Sequence, residues 1–395
     1  FETWDMLGVK ETVAKMKELK QSPAPWVEEM LSSGVESFYK YEKGNKLYYD
    51  INSKKYKEIP GYKGLVILDA LKTTNVVWKN SGTTLYNVGD EVLNLEFHTK
   101  MNTMGAEVIE GINKAISLAE KNYKGLVIGN EGDNFSAGAN LGMLFMLAGN
   151  REFDEINLSV QAFQNTMMRA RYSSIPVVVA TSGLTLGGGT ELSMHADQVR
   201  AHTETYMGLV EFGVGIIPSG GGTKEMTLRT SDMYKKGDPE LNILMENFMT
   251  IATAKVATSS KEAAAMGLLK HTDKHTLNRS SLLSEAKNDV LNLYNEGYTQ
   301  KKQRQNIKVQ GRAGLAMFEA GITSMLYGKY ISDHDRKIAN KTAYVMCGGD
   351  LSQPGYVSEQ YLLDLEREAV VSLSSEPKTL ERMHGILFKR KTIRN

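Results

Sequence analysis

Apolar positions change their spacing along this chain, and each change marks an element. Met104, Val108, Ile109, Ile112, Ala115, Ile116 and Ala119 recur at helical spacing, which predicts an amphipathic helix ending near Asn122. Before it, Thr83–Gly89 and Glu91–Phe97 read as two strands joined through Gly89-Asp90, the second with alternating apolar residues. After it come the fully apolar Gly125–Gly129 and, further on, the β-branched run Ile175–Thr181, both read as buried strands. Strand, helix and strand in this order predict parallel crossover units, and so an α/β layer structure.

The two ends are patterned differently. Glu11–Leu19 is a lysine-rich helix that Pro23-Ala-Pro25 breaks; Trp26–Leu31 is a short helix with Gly34 as its stop. The tyrosine-rich stretch from Phe38 to Tyr56, with Lys-Gly-Asn-Lys at 43 to 46, reads as a hairpin. Beyond Gly222 the pattern is mainly helical: Lys261–Leu269 with a glycine stop at Gly267, Ser281–Tyr294, and most of Arg312–Arg390, interrupted at Gly348-Gly349 and Ser352–Pro354.

Candidate chemistry concentrates where strands hand over to helices. Leu184-Thr-Leu-Gly187-Gly-Gly-Thr-Glu191 follows the Ile175–Thr181 strand, and its three glycines leave peptide N–H groups free to approach a ligand. Glu191 comes two residues after them. Glu211 lies inside the otherwise apolar Met207–Pro218, where a charge needs a reason. Two carboxylates beside bare amide donors point to acid–base chemistry next to a carbonyl. The loop Asn130–Leu144 follows another predicted strand, at the end where open α/β sheets place ligands; Ser136-Ala-Gly-Ala139 is small throughout, and Asn140 can cap the next helix.

Other constellations fall away. Gly215–Lys224 lacks the lysine directly after the second glycine that a phosphate-binding loop needs, and no Gly-x-Gly-x-x-Gly follows a strand. Ser193, His195 and Asp197 are two apart, so a helix points them to different faces; no nucleophile elbow is present, and His195 reads as a packed or capping residue. The formal net charge of +1 over 395 residues gives no reason to expect nucleic acid or an anionic membrane, and no apolar run nears a spanning length. A single cysteine, Cys347, fits a reducing, cytoplasmic compartment, and the seven histidines show no metal spacing. The chain opens on Phe1 in mid-pattern, which reads as a piece of something longer.

Phe135-Ser-Ala-Gly-Ala139-Asn, Gly187-Gly-Gly-Thr-Glu191, and Glu211 with Gly215-Ile-Ile-Pro-Ser-Gly-Gly-Gly-Thr223 together resemble the enoyl-CoA hydratase/isomerase (crotonase) superfamily, over roughly residues 80 to 300 and including Ser259–Leu268. The resemblance implies an α/β fold with a crotonase-like ββα spiral core at 61–255, helical N- and C-terminal flanks, and a helical C-terminal region at 256–395. It assigns the N–H groups of Ala139 and Gly188 to an oxyanion hole, and Glu191 and Glu211 to the acids that hold water, Glu191 as base and Glu211 as donor to the α-carbon. Ala137, near the CoA adenine, joins Gly138 and Gly187 in binding substrate, with no metal. Both acids together favour hydration of a trans-2-enoyl-CoA over the alternatives, an enoyl-CoA isomerase or a non-catalytic acyl-CoA-binding or assembly module. Asn140 stands where the family commonly has Asp, and no CoA phosphate contact is identified.

Phe1–Val9 resembles the end of the helical C-terminal region of 3-hydroxyacyl-CoA dehydrogenases, so residues 1–60 read as a remnant of it. Asn340–Asp350 and Val357–Glu368 are similar to the far end of bacterial bifunctional enzymes of fatty-acid β-oxidation. On that resemblance the chain is the hydratase half, requires no cofactor itself, and leaves NAD to the missing dehydrogenase half. Acyl-CoA is the expected substrate; a homo-oligomer and a thiolase are the expected partners.

Overall fold

The computed structural model describes every residue of the chain except 43, 44 and 63, and it divides into two compact units, Phe1–Val76 and Val77–Asn395. The expected boundary at 60/61 therefore falls inside the first unit.

In the first unit the helices Val9–Glu18 and Pro25–Ser32 flank the Pro23–Pro25 break, with Pro25 at the first helical position, where its missing N–H costs no hydrogen bond. They bury Val9, Val13, Val27 and Met30 with Phe38 and Tyr49, and Trp4 and Trp26 pack against this cluster. The expected hairpin gains a strand: Tyr39–Glu42, Asn45–Asp50 and Lys55–Glu58 pair antiparallel, with Tyr49 opposite Tyr56. Of its expected turn residues, Lys43 and Gly44 lie outside the described residues. The Asp5 carboxylate accepts from the Phe38 and Tyr39 N–H groups at 2.7 and 2.8 Å, tying the first helical turn to the sheet.

Among the described residues, seven strands form the sheet of the second unit: β1 (Val76–Lys79), β2 (Thr83–Asn87), β3 (Val92–Phe97), β4 (Gly125–Gly129), β5 (Val177–Leu186), β6 (Gln198–Gly208) and β7 (Lys274–Thr276). They stand in the order β7-β6-β5-β4-β3-β2-β1. β2 and β3 are antiparallel, and every pairing from β3 to β7 is parallel. The expected boundary at 255/256 falls inside this unit, because β7 joins the sheet beside β6. β5 runs past the predicted Thr181 to Leu186, since Gly183–Leu186 pair with Thr205–Gly208 after an irregularity at 181/183.

The helices are α1 (Ala106–Asn122), α2 (Leu141–Gly149), α3 (Phe153–Arg171), α4 (Gly188–His195), α5 (Glu211–Val214), α6 (Gly222–Met233), α7 (Glu240–Ala252), α8 (Ser260–Ala265), α9 (Leu282–Asn295), α10 (Gly311–Tyr327), α11 (Asp333–Met346), α12 (Glu359–Ser374) and α13 (Pro377–Lys389). Side chains alternate across a strand, so one face of β4 gives Leu126 and Ile128 to the core that Val108, Ile112, Ala115, Ile116 and Ala119 of α1 complete. Its other face lies under α9. There a Cβ on Gly125 would stand 2.5 Å from Val290, and one on Gly129 2.7 Å from Leu283, so glycine sets how closely α9 approaches. β4 is buried on both faces, and its near-continuous apolar sequence follows from that. α12 packs on α3, α6 and α11, and α13 packs on α2 and α5. The C-terminal helices thus cover the strand-to-helix turns where the candidate residues lie.

Ile112 is fully buried between α1 and the sheet. Ile112→Ala is expected to lower the unfolding free energy by about 2–5 kcal/mol with the urea slope unchanged; a loss under about 0.5 kcal/mol, the size of a surface change, would contradict the packing described.

Candidate active site

The loop after β4 is held from both sides. The Asn130 side chain accepts from Phe97 N–H at 2.7 Å and donates to Phe135 O at 2.8 Å. Ser136 N–H donates to Leu184 O at 3.0 Å and Leu186 N–H donates to Ser136 O at 2.9 Å, which lays the loop along the end of β5. Met104 N–H reaches Gly138 O at 2.8 Å and Asn140 N–H reaches Met104 O at 3.2 Å, pinning the residues either side of Ala139. Among the described residues the Ala139 N–H itself has no acceptor. Asn140 caps α2 as expected, accepting from Met143 N–H.

Gly187 turns the chain out of β5 at φ 53, and its N–H donates to Gly208 O at 2.9 Å. A Cβ there would stand 2.9 Å from Glu211 Oε1, so the position is closed to larger residues by conformation and by space. Gly188 opens α4, and its N–H also lacks an acceptor among the described residues, as the first amides of a helix do unless something outside supplies one. A Cβ on Gly138 would be 3.3 Å from Gly188 N, and one on Gly188 would be 3.3 Å from Ala139 N. The two free donors therefore adjoin.

Glu191 is one turn into α4 and 3% exposed, and its Oε1 accepts from Gly220 and Gly222 N–H at 2.8 and 2.9 Å, in the turn that opens α6. Glu211 opens α5, and its Oε2 is buried without a hydrogen-bond partner. Burial raises the Glu191 pKa to about 7, held there against the pull of the Gly222 and Gly220 amides and of Lys224. The pKa of Glu211 is pushed well above the ordinary carboxyl range by burial, then by the neighbouring Glu191 charge. The two acids differ because Glu191 takes two close amide donors, whereas Glu211 has one oxygen without a donor and lies under the Glu191 charge.

Two adjoining cavities meet at Ala139 and Glu211. The outer one, about 470 Å³, is lined by Ala137, Gly138, Ala139, Gly187 and Glu211. The inner one, about 390 Å³, holds Ala139, Glu191 and Glu211 against Leu144, Val160, Phe163 and Val370. Glu191 faces the inner cavity only, and Gly188 lines neither. His195 packs as expected, its ring nitrogens at 2.6 Å from Glu191 O and 2.8 Å from Lys224 Nζ.

Behind Glu191 lies a charge network that the sequence reading missed. Lys224 is fully buried, with Nζ 3.2 Å from Glu225 and 3.1 Å from Glu359, and Arg171 pairs with Glu225 at 2.7 Å. Glu366 was missed too. The available signal was a helix whose apolar stripe, Leu362, Leu363, Ala369, Val370 and Leu373, carries two acids, Glu359 and Glu366, at the same spacing.

With this geometry in place the likeness to known proteins is specific. The family description for enoyl-CoA hydratase/isomerase matches residues 88–271. The crystal structure of an enoyl-CoA hydratase from Bacillus halodurans superposes with a TM-score of 0.52, covering 77% of this chain and 100% of that one, at 17% identity. The second unit has a crotonase-like α/β fold. A Bacillus subtilis protein named "Probable 3-hydroxyacyl-CoA dehydrogenase" is 44% identical over 396 residues, 100% of this chain and 49% of the relative. A second protein of that organism, "Probable enoyl-CoA hydratase", is 28% identical over 145 residues, 35% of this chain and 55% of the relative. The chain spans about half the length of the curated relatives it matches. The family match supports hydratase/isomerase-type chemistry on acyl-CoA thioesters. No helix among the described residues is long and apolar enough to cross a membrane.

Lys224→Met removes the buried cation facing Glu225 and Glu359. Losing one partner of a buried ion network costs about 3–5 kcal/mol. Denaturant unfolding is expected to show that loss, and an unchanged midpoint would mean the network does not depend on Lys224.

Proposed function

We propose that the crotonase core hydrates trans-2-enoyl-CoA to 3-hydroxyacyl-CoA. The observation that carries this reading is the pair of acids with unlike proton affinities beside two amide donors that have no acceptor among the described residues. The thioester carbonyl oxygen takes the Ala139 and Gly188 N–H groups. The Glu191 carboxylate takes a proton from water as its oxygen bonds to C3, the C2–C3 π pair moves onto the thioester as an enolate, and the Glu211 carboxyl supplies the proton to C2. Glu191 ends protonated and Glu211 ionised, and a proton passing between them restores the site. Each amide aimed at the enolate oxygen is typically worth about 100- to 1000-fold in rate. Ala137, Gly138 and Gly187 line the approach for the CoA portion, and the apolar inner cavity takes the acyl chain.

The reaction consumes only water, so this chain needs no resident cofactor. Its product is a secondary alcohol, the substrate of an NAD-dependent 3-hydroxyacyl-CoA dehydrogenase. The likeness to a protein of that name over half its length supports the two activities sharing one polypeptide. We further propose that this polypeptide works in fatty-acid β-oxidation in the cytoplasm, with thiolase as the next partner and self-association as a homo-oligomer.

One acid must be ionised and the other protonated, so kcat/KM is expected to be bell-shaped in pH. Activity falls on the acid side as Glu191 gains its proton, below about pH 7, and on the alkaline side as Glu211 loses its own. The limbs belong to the coupled pair. Glu191→Gln is expected to lower hydration by about 100- to 10,000-fold while CoA-ester affinity stays near that of the unaltered protein. Full activity in that variant contradicts the reading, and turnover of a 3-enoyl-CoA in place of a 2-enoyl-CoA would favour the isomerase.

A further inference from the structure

Glu366 lies on α12 and is fully buried. Its Oε2 accepts from Gly221 N–H at 2.9 Å and its Oε1 from Lys224 N–H at 2.5 Å, while Gln164 Nε2 stands 3.4 Å from Oε2. The amides that open α6 thus alternate between two acids: Gly220 and Gly222 serve Glu191, Gly221 and Lys224 serve Glu366. Gly221, at φ 104, gives the turn the left-handed step that sends successive N–H groups to opposite sides. Gln164 of α3 donates to Ser219 O and to Leu363 O, both at 2.9 Å, fastening this turn to α12.

Two carboxylates at one helix end are more charge than that end offsets, since a helix N-terminus carries roughly half an elementary charge. Nearby cations are engaged elsewhere. Lys224 Nζ faces Glu225, Glu359 and His195; Arg171 of α3 faces Glu225 and Glu359; Arg367 holds Asp364, Asn157 and Gln164. Among the described residues no lysine or arginine forms an ion pair with Glu366. Burial, then the charge of Glu191 on α4, raise the Glu366 pKa to about 8 against the pull of the Lys224 and Gly221 amides and of the Lys224 charge, and the Glu366 charge is in turn one of the causes that raise Glu211 on α5. Glu366 lines neither cavity, whereas Val370, one turn further, lines the inner one.

We propose that Glu366 is a positioning residue for the Glu191–Glu211 pair: by taking the Gly221 and Lys224 amides it fixes the turn whose Gly220 and Gly222 amides aim Glu191 beside Glu211. The roles of Glu191 and Glu211 here rest on the hydratase reading, so the deciding measurement does not use turnover. Protein labelled with carbon-13 at the glutamate carboxyls is titrated by NMR, with Glu211→Gln and Glu191→Gln assigning the resonances. In Glu366→Gln the Glu211 step is expected at lower pH than in the unaltered protein, because a like charge has gone. Its alkaline limb of kcat/KM moves the same way, and kcat falls on the order of 10- to 100-fold with KM little changed. Glu366→Asp keeps the charge with a shorter reach, so it keeps the Glu211 step and loses kcat. An unmoved Glu211 step in folded Glu366→Gln overturns the proposal. Should that variant fail to fold, Glu191→Gln decides: the Glu366 step must move to lower pH there, and an unmoved step overturns the proposal equally. A protein that shows these titrations without hydrating enoyl-CoA refutes the functional reading and leaves the Glu366 inference standing.

Discussion

The hydrogen bonds from Gly220 and Gly222 to Glu191 are the constraint on which the site depends. They bring the start of α6 against α4 and leave one oxygen of Glu191 for the cavity. They also supply the donors that let a buried carboxyl ionise near neutral pH. Glu211 keeps one oxygen without a donor and lies beside the Glu191 charge, and the contrast between the acids follows. Without that turn, two glutamates in one apolar cleft would both be held protonated, and neither would serve as base.

The turn is in part the work of the C-terminal helices. α12 places Glu366 against it, and Glu359 beside Lys224, so a segment distant in sequence completes the polar backing of Glu191. A largely buried network of this kind is costly unless every member is satisfied. Here Lys224, Glu225, Glu359 and Arg171 each have a partner of opposite charge. The crotonase-like core and its helical flank are therefore one structure within the second unit, and the flank is more than a cover.

Local signals were legible in the sequence wherever local physics decides. α1 and β2–β4 follow their apolar periodicity closely, Asn140 caps α2, and the glycines at 187 and 188 mark a turn that a side chain would block. Each of Ala137, Gly138, Ala139, Gly187, Glu191 and Glu211 could be named from motifs, and the fold gathers them around two adjoining cavities, which Gly188 does not line. Illegible were the partners supplied by tertiary contact. Nothing near Gly220 predicts that its neighbour Gly221 meets a carboxylate from α12, and Lys224 reads as an ordinary helical lysine until the fold surrounds it with acids. The third strand of the N-terminal sheet and the addition of β7 to the core sheet were missed for a related reason: short strands gain their stability from the strand beside them rather than from their own sequence.

The central claim is that this arrangement adds water to a conjugated thioester. The most direct measurement follows the absorbance of that conjugated bond when the unaltered protein is mixed with crotonyl-CoA and, separately, with a longer trans-2-enoyl-CoA. The account predicts catalytic loss of absorbance and a 3-hydroxyacyl-CoA product. Tight binding of both thioesters with the absorbance unchanged would contradict it.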